Sequence, residues 1–193
     1  ISGHSAYNIK FDAQQRRIEL LDGNILVDVA KDASRPFSVD TEFAQIKALG
    51  TRFIVQHSKN QTILTMLESK VEVRSLQGNQ VKVIHAGQQV IIDAMGIHPI
   101  HEISTTMYEQ AWKTHNLVID QMPLNQVLDI LQSYQKGKIY YNKDEIRQLR
   151  VTAILPLDHP EQVYTLLQDS LPIRISQPIP YITRVKLNNN DNQ

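Results

Sequence analysis

The chain has 193 residues with 20 basic and 20 acidic side chains, seven histidines and no cysteine. Its length suits one large or two small domains, and a zero net charge without any basic cluster argues against a nucleic-acid partner. The lack of cysteine excludes a disulfide framework, a thiol nucleophile and a cysteine zinc site, and no run approaches the roughly 20 apolar residues of a membrane span.

From Tyr7 to about Ile100 the pattern is one of short strands, expected at 17–20, 25–29, 37–41, 44–48, 52–56, 61–67, 70–74, 80–84 and 89–93. Phe37, Val39 and Thr41 alternate with Ser38 and Asp40, the period of two for a strand with one face in a core. Before them, Lys31 to Pro36 form a polar turn in which proline biases Arg35 toward an extended shape. Gly50 punctuates the run ahead of Phe53 and Val55. Asp22-Gly23-Asn24, Ser58-Lys59-Asn60 and Gln77-Gly78-Asn79 read as hairpin turns, because they supply residues tolerant of positive φ. Strands this short and close fit a sandwich or a solenoid-like stack, and pattern alone leaves both open.

The character changes between Gly96 and His115, with helical spacing from Met107 to Trp112. Trp112 is read as the plug of a hydrophobic seat at the start of a second domain. Beyond it a β-α-β unit occurs twice. Strand 117–119, helix 123–134 and strand 138–141 are followed by strand 150–154, helix 160–171 and strand 173–176, with a last strand at 181–185. Val127, Ile130, Leu131 and Gln132 echo Val163, Leu166, Leu167 and Gln168 at the same spacing, and each set forms a stripe that docks on a sheet. Asp158 is the expected N-cap of the second helix, with Pro160 in its first turn and Pro172 past its end; Gly137 follows the first.

Chemistry-bearing residues do not assemble into a catalytic set. His98 and His101 flank a proline and lack a third ligand, so a surface loop is the better reading than a metal. Asp28 and Asp40 alternate with apolar residues and are read as wet-face carboxylates rather than a glycosidase pair, while Asp32 and Arg35 suit a bond across one turn. No nucleophile elbow, phosphate loop or dinucleotide fingerprint occurs, and an enzyme is not expected. Arg174, Tyr181 and Arg184 are of types that dominate interface hot spots. The segment Tyr181, Ile182, Thr183, Arg184, Val185, beyond Pro178-Ile179-Pro180, is read as free to take an added strand.

Arg17 to Leu20, Gly23, the run from Val29 through Asp32 to Arg35-Pro36-Phe37 and Val39, Leu49-Gly50-Thr51-Arg52-Phe53 with Val55, Val71 to Arg74, and Gly87-Gln88 together resemble the periplasmic domain of FecR-type regulators. Asn24 stands where that family more often has glutamate, and Glu68-Ser69-Lys70 replaces a glycine-containing turn. The duplicated half, through L-V-I-D-Q-M-P-L-N-Q-V-L-D-I-L, L-R-V-T-A and L-P-I-R-I, resembles the STN domain. The organisation so expected is an all-β FecR-type domain over 1–105, an STN-like domain of two β-α-β repeats over 106–187, and a disordered polar tail at 188–193.

The resemblance implies the periplasmic sensor region of a single-pass inner-membrane anti-sigma protein, without cofactor. The transmembrane helix and the cytoplasmic region that holds an extracytoplasmic-function sigma factor are implied to lie outside this sequence, which begins at Ile1 without a signal peptide and reads as an excised piece. Its implied partner is the N-terminal signalling domain of a TonB-dependent transporter for iron-siderophore or haem, and the contact is implied to act through regulated proteolysis, by periplasmic and intramembrane proteases, or through a conformational signal. The alternative is a carbohydrate or cell-wall binding β domain with an oligomerising appendage; it needs exposed aromatics, whereas most in the first half occupy core-like strand positions.

Overall fold

A computed structural model describes residues 2–188, with side chains from residue 5 onward. The tail expected at 188–193 therefore lies outside the described residues from 189 on; Asn188 donates its backbone N–H to Pro172 O at 2.9 Å. Two compact units divide the chain, Ile1–Glu109 and Gln110–Gln193.

The first unit contains β1 (Ser2–Phe11), β2 (Arg16–Asp28), β3 (Phe37–Asp40), β4 (Ala44–Ala48), β5 (Arg52–Ser58), β6 (Gln61–Glu68), β7 (Lys70–Ser75), β8 (Val81–His85), β9 (Gln88–Asp93), β10 (Gly96–Ile97) and β11 (His101–Glu102). All eleven share one sheet, ordered β10-β9-β6-β5-β2-β3-β4-β7-β8, with β1 added on β2 and β11 on β9. The long β2 makes this possible, since residues 16–19 run parallel to β3 whereas residues 23–28 run antiparallel to β5. The sheet thus curls, and its two halves bury Leu20, Val39, Ile46, Phe53, Leu64 and Ile92 in a single core. Each such side chain contributes about 1.5–3 kcal/mol by leaving water. Across this core Thr41 and Thr62 hydroxyls meet at 2.8 Å, so the closure is of the sandwich kind rather than a stacked coil.

Asp22-Gly23-Asn24 is not a hairpin turn. Gly23, at φ +96°, lies inside β2, and a Cβ there would stand 2.6 Å from Ser5 Cα, so glycine serves a close backbone approach of β1 instead. The chain passes between the halves of the sheet three times, from β4 to β5, from β6 to β7 and from β8 to β9. The last two crossings support each other, because Ala86 N–H donates to Ser69 O at 2.7 Å and Gly87 N–H to Met66 O at 3.0 Å.

Helix α1 (Thr105–Lys113) follows. Its buried residues are Tyr108 and Ala111, and Trp112 is only half-buried, so the tryptophan is not the buried plug expected of it. Gln89 Nε2 donates to Tyr108 Oη at 3.1 Å and to Thr65 Oγ1 at 2.7 Å, fixing the tyrosine against β6 and β9.

The second unit continues with β12 (Asn116–Pro123), α2 (Leu124–Gln132), β13 (Lys138–Tyr141), α3 (Lys143–Ile146), β14 (Arg150–Pro156), α4 (Pro160–Ser170), β15 (Ile173–Ile179) and β16 (Ile182–Leu187). The first strands of the two repeats, β12 and β14, pair with each other; the second strands, β13 and β15, flank β16. Val127, Ile130 and Leu131 are buried, as are Val163 and Leu167, but Leu166 is exposed and breaks the echo of Ile130. Asp158 is not the cap of α4. His159 occupies that position without a side-chain bond, and the Asp158 carboxylate turns to His115 Nδ1 at 3.1 Å.

Candidate partner-binding surface

The three strands β13, β16 and β15 form a small sheet with one wet face. Side chains alternate along each strand, and paired residues point to the same side. Thr183, Val185 and Ile173 are buried on the inner face, at 4%, 1% and 2% exposure. Tyr141 lies half-buried on the same side and donates its hydroxyl to Asp129 Oδ1 at 2.5 Å; burial, and then this carboxylate, push its pKa up. Arg174, Arg184, Lys186, Lys138 and Tyr140 take the outer face.

Of the six residues expected to bind a partner, Arg174 and Arg184 therefore share the outer face, and Tyr181 is 67% exposed in the turn before β16. Ile182 is half-buried, and Thr183 and Val185 point into the unit. The segment is not free to take a strand: residues 182–185 pair with β13 in parallel, and β16 also pairs with β15 in antiparallel fashion. Lys138, Tyr140 and Lys186 were missed. The period of two along K-I-Y-Y and I-T-R-V-K-L carries the signal for them, but only the strand pairing unites them with Arg174.

The outer edges of this sheet are partly occupied. Lys138 N–H donates to Tyr181 O at 2.7 Å, so residue 138 faces β16 and alternation turns Ile139 N–H outward. There Gln132 Oε1 accepts it at 2.8 Å, while Gln132 Nε2 donates to Gly137 O at 2.7 Å. The other edge repeats the device. Asn188 N–H reaches Pro172 O, which turns Ile175 N–H outward, and Gln168 Oε1 accepts it at 2.6 Å. The two glutamines that mark the internal repeat thus blunt both edges against strand addition.

In the first unit a cleft of about 510 Å³ is lined in part by Arg17, Asp40, Thr41 and His57. Asp40 is 7% exposed, not on a wet face, and pairs with Arg17 at 2.6 Å. His57 Nδ1 lies 3.0 Å from Thr62 Oγ1, and burial lowers its pKa against the pull of Asp22 and Glu42. Asp40 and His57 are each tied to a structural neighbour. Asp32 and Arg35 bond across their turn as expected, at 2.9 Å. The Ser34 hydroxyl, then the Arg35 side chain, hold the Asp32 carboxyl down to about 2. Among the described residues no three His, Asp or Glu side chains converge as a metal site.

The first unit is thus all-β, and the second combines helices with two small sheets, one of which has an open basic face. Residues 1–72 match the family described as FecR protein. No curated protein matches it. Two solved structures of candidate anti-sigma factors from Parabacteroides distasonis ATCC 8503 share its fold. One has a TM-score of 0.78 at 18% identity over 96% of each chain. The other has 0.77 at 21% identity over 95% of this chain and 85% of its own.

Proposed function

We propose that the chain is the periplasmic sensor region of a single-pass inner-membrane sigma-factor regulator, and that its second unit is an STN-like domain. The observation that carries this reading is the FecR match over residues 1–72, on a chain whose fold extends over 96% of a candidate anti-sigma factor. The partner is the N-terminal signalling domain of a TonB-dependent transporter loaded with an iron-siderophore or haem. Their contact favours one state of the regulator over another, as it must, because equal affinity for both states transmits nothing. Release of an extracytoplasmic-function sigma factor follows, through proteolysis in the periplasm and the membrane. The chain works by binding rather than catalysis; the engagement of Asp40 by Arg17 and of His57 by Thr62 supports that reading.

Isothermal titration of the full chain with the purified signalling domain of the transporter encoded beside it tests the proposal. A saturable complex of about micromolar affinity, typical of transient signalling contacts, is expected. No binding at about a hundredfold higher concentration overturns it.

A further inference from the structure

The basic face of the sheet carries an arrangement that stability does not explain. Strands β13, β15 and β16 contain Lys138, Arg174, Arg184 and Lys186 and not one acidic residue. Arg174 stands directly opposite Lys186, and Arg184 is diagonal to Arg174 across the same pair of strands. Like charges directly opposite each other weaken a sheet, so an acidic residue at position 174 would suit the isolated fold better. No ion pair within 4.0 Å relieves any of the four cations among the described residues. Tyr140, 53% exposed, lies beside Arg184 in register and supplies a rigid amphipathic contact. At one end, where β13 stops and β16 runs on to Leu187, the strands border an open cleft of about 600 Å³.

We propose that this face docks an acidic segment of a protein partner, whose carboxylates lie over Arg174, Arg184 and Lys186 with Tyr140 as the aromatic anchor. The inference rests on the functional reading above and gives its partner a chemistry: the contacting surface of the signalling domain is acidic. It also makes docking a contact of side chains on the sheet face, consistent with glutamines covering Ile139 N–H and Ile175 N–H at the edges. A protein is favoured over a lipid surface because the face presents Tyr140 with Arg174 and Arg184, and its large aliphatic side chains, Ile179 and Ile182, are confined to the end beside Lys138.

Arg174→Glu separates function from folding, since it relieves the clash with Lys186 while reversing the charge offered to the partner. The wild-type full chain, this variant and the control Lys59→Glu, on an exposed hairpin of the first unit, are titrated with the signalling domain. Measurements are made at about 0.01 M and about 0.15 M salt, across which the screening length falls from about 30 Å to about 8 Å. Arg174→Glu is expected to unfold at a higher urea concentration yet bind about tenfold or more weaker, with Lys59→Glu unchanged and wild-type affinity falling as salt rises. Binding by Arg174→Glu within about twofold of wild type overturns the inference. If wild type does not bind the signalling domain, the functional reading fails by itself. The inference is then decided by amide resonances in the presence of a short peptide alternating glutamate and threonine. Shifts at Tyr140, Arg174, Arg184 and Lys186 that Arg174→Glu abolishes sustain it, and their absence overturns it. Capture by phosphatidylglycerol vesicles without any response to the peptide assigns the face to a lipid surface and likewise overturns it.

Discussion

Gln132→Ala removes two hydrogen bonds in one cut, the donation to Gly137 O at 2.7 Å and the acceptance from Ile139 N–H at 2.8 Å. At about 0.5–1.5 kcal/mol net for each, the loss lies between about 1 and 3 kcal/mol. Gln132 and Ile139 are half-buried, so water replaces part of what is lost and the middle of that range is expected. Alanine returns only a few tenths of a kcal/mol in helix propensity. The partner variant Gln168→Ala breaks the single bond from Ile175 N–H at 2.6 Å and is expected to cost about 1 kcal/mol. Urea unfolding of the full chain, followed by far-ultraviolet circular dichroism with a shared m-value, measures both. Gln132→Ala should also associate with rising concentration, since an edge amide is uncovered. A loss below about 0.5 kcal/mol for Gln132→Ala, or a greater loss for Gln168→Ala, refutes the assignment of these glutamines as edge guards.

Gly137 has φ +101°, and a Cβ there would stand 2.1 Å from Tyr181 O, so strain and overlap add together. Gly137→Ala is expected to cost about 3 kcal/mol or more in the same unfolding assay, against about 1–3 for the unfavourable φ alone; a loss under about 1 contradicts it. His57 is depressed below 6.5 by burial, so the unfolded state binds its proton more readily than the native one. Stability therefore falls as pH drops below about 6.5 and toward the lower native value, and His57→Gln should flatten that part of the pH profile. An unchanged slope counts against a neutral buried imidazole. Asp32, held at about 2, contributes stability that is present above its ordinary 3.8 and is lost as pH falls through the native value. Its carboxyl carbon should titrate near 2 by NMR, and Arg35→Ala should raise the midpoint; no rise removes Arg35 as a cause.

The second unit was the more legible half. Its helices carry stripes of period 3.6, bounded by Pro123 and Pro160, and the repeated Gln132 and Gln168 foretold equivalent places that the structure fills with equivalent bonds. Pairing is a different matter. That β16 lies in the centre of its sheet depends on β13, whose Lys138 pairs with Ile182 from far along the chain. In the first unit β1 went unseen because Asn8, Ile9, Lys10 and Phe11 are all exposed, which erases the alternation that reveals a strand. Phe37, Phe43 and Phe53 are buried as their positions suggested, whereas Phe11 is not. Asp22-Gly23-Asn24 has the composition of a hairpin turn, and only the approach of Ser5 shows a different use. Asp40 looked solvent-facing because its local pattern is that of a wet strand; Arg17, on a neighbouring strand, is what permits its burial.

The family match stops at residue 72, in the middle of β7. A polypeptide ending there would leave β6 without β9 along residues 62–65, and what remains of β7 without β8 along residues 70–72. The recognisable sequence is thus shorter than the smallest piece that closes the sheet. What completes it is undemanding in side chains: β8 buries only Ile84, and β9 only Val90 and Ile92. These strands serve chiefly through their amides and carbonyls, which every residue but proline supplies in full. Letters can therefore drift along this seam while the shape persists, as it does in structures that share only 18% and 21% of their residues with this chain.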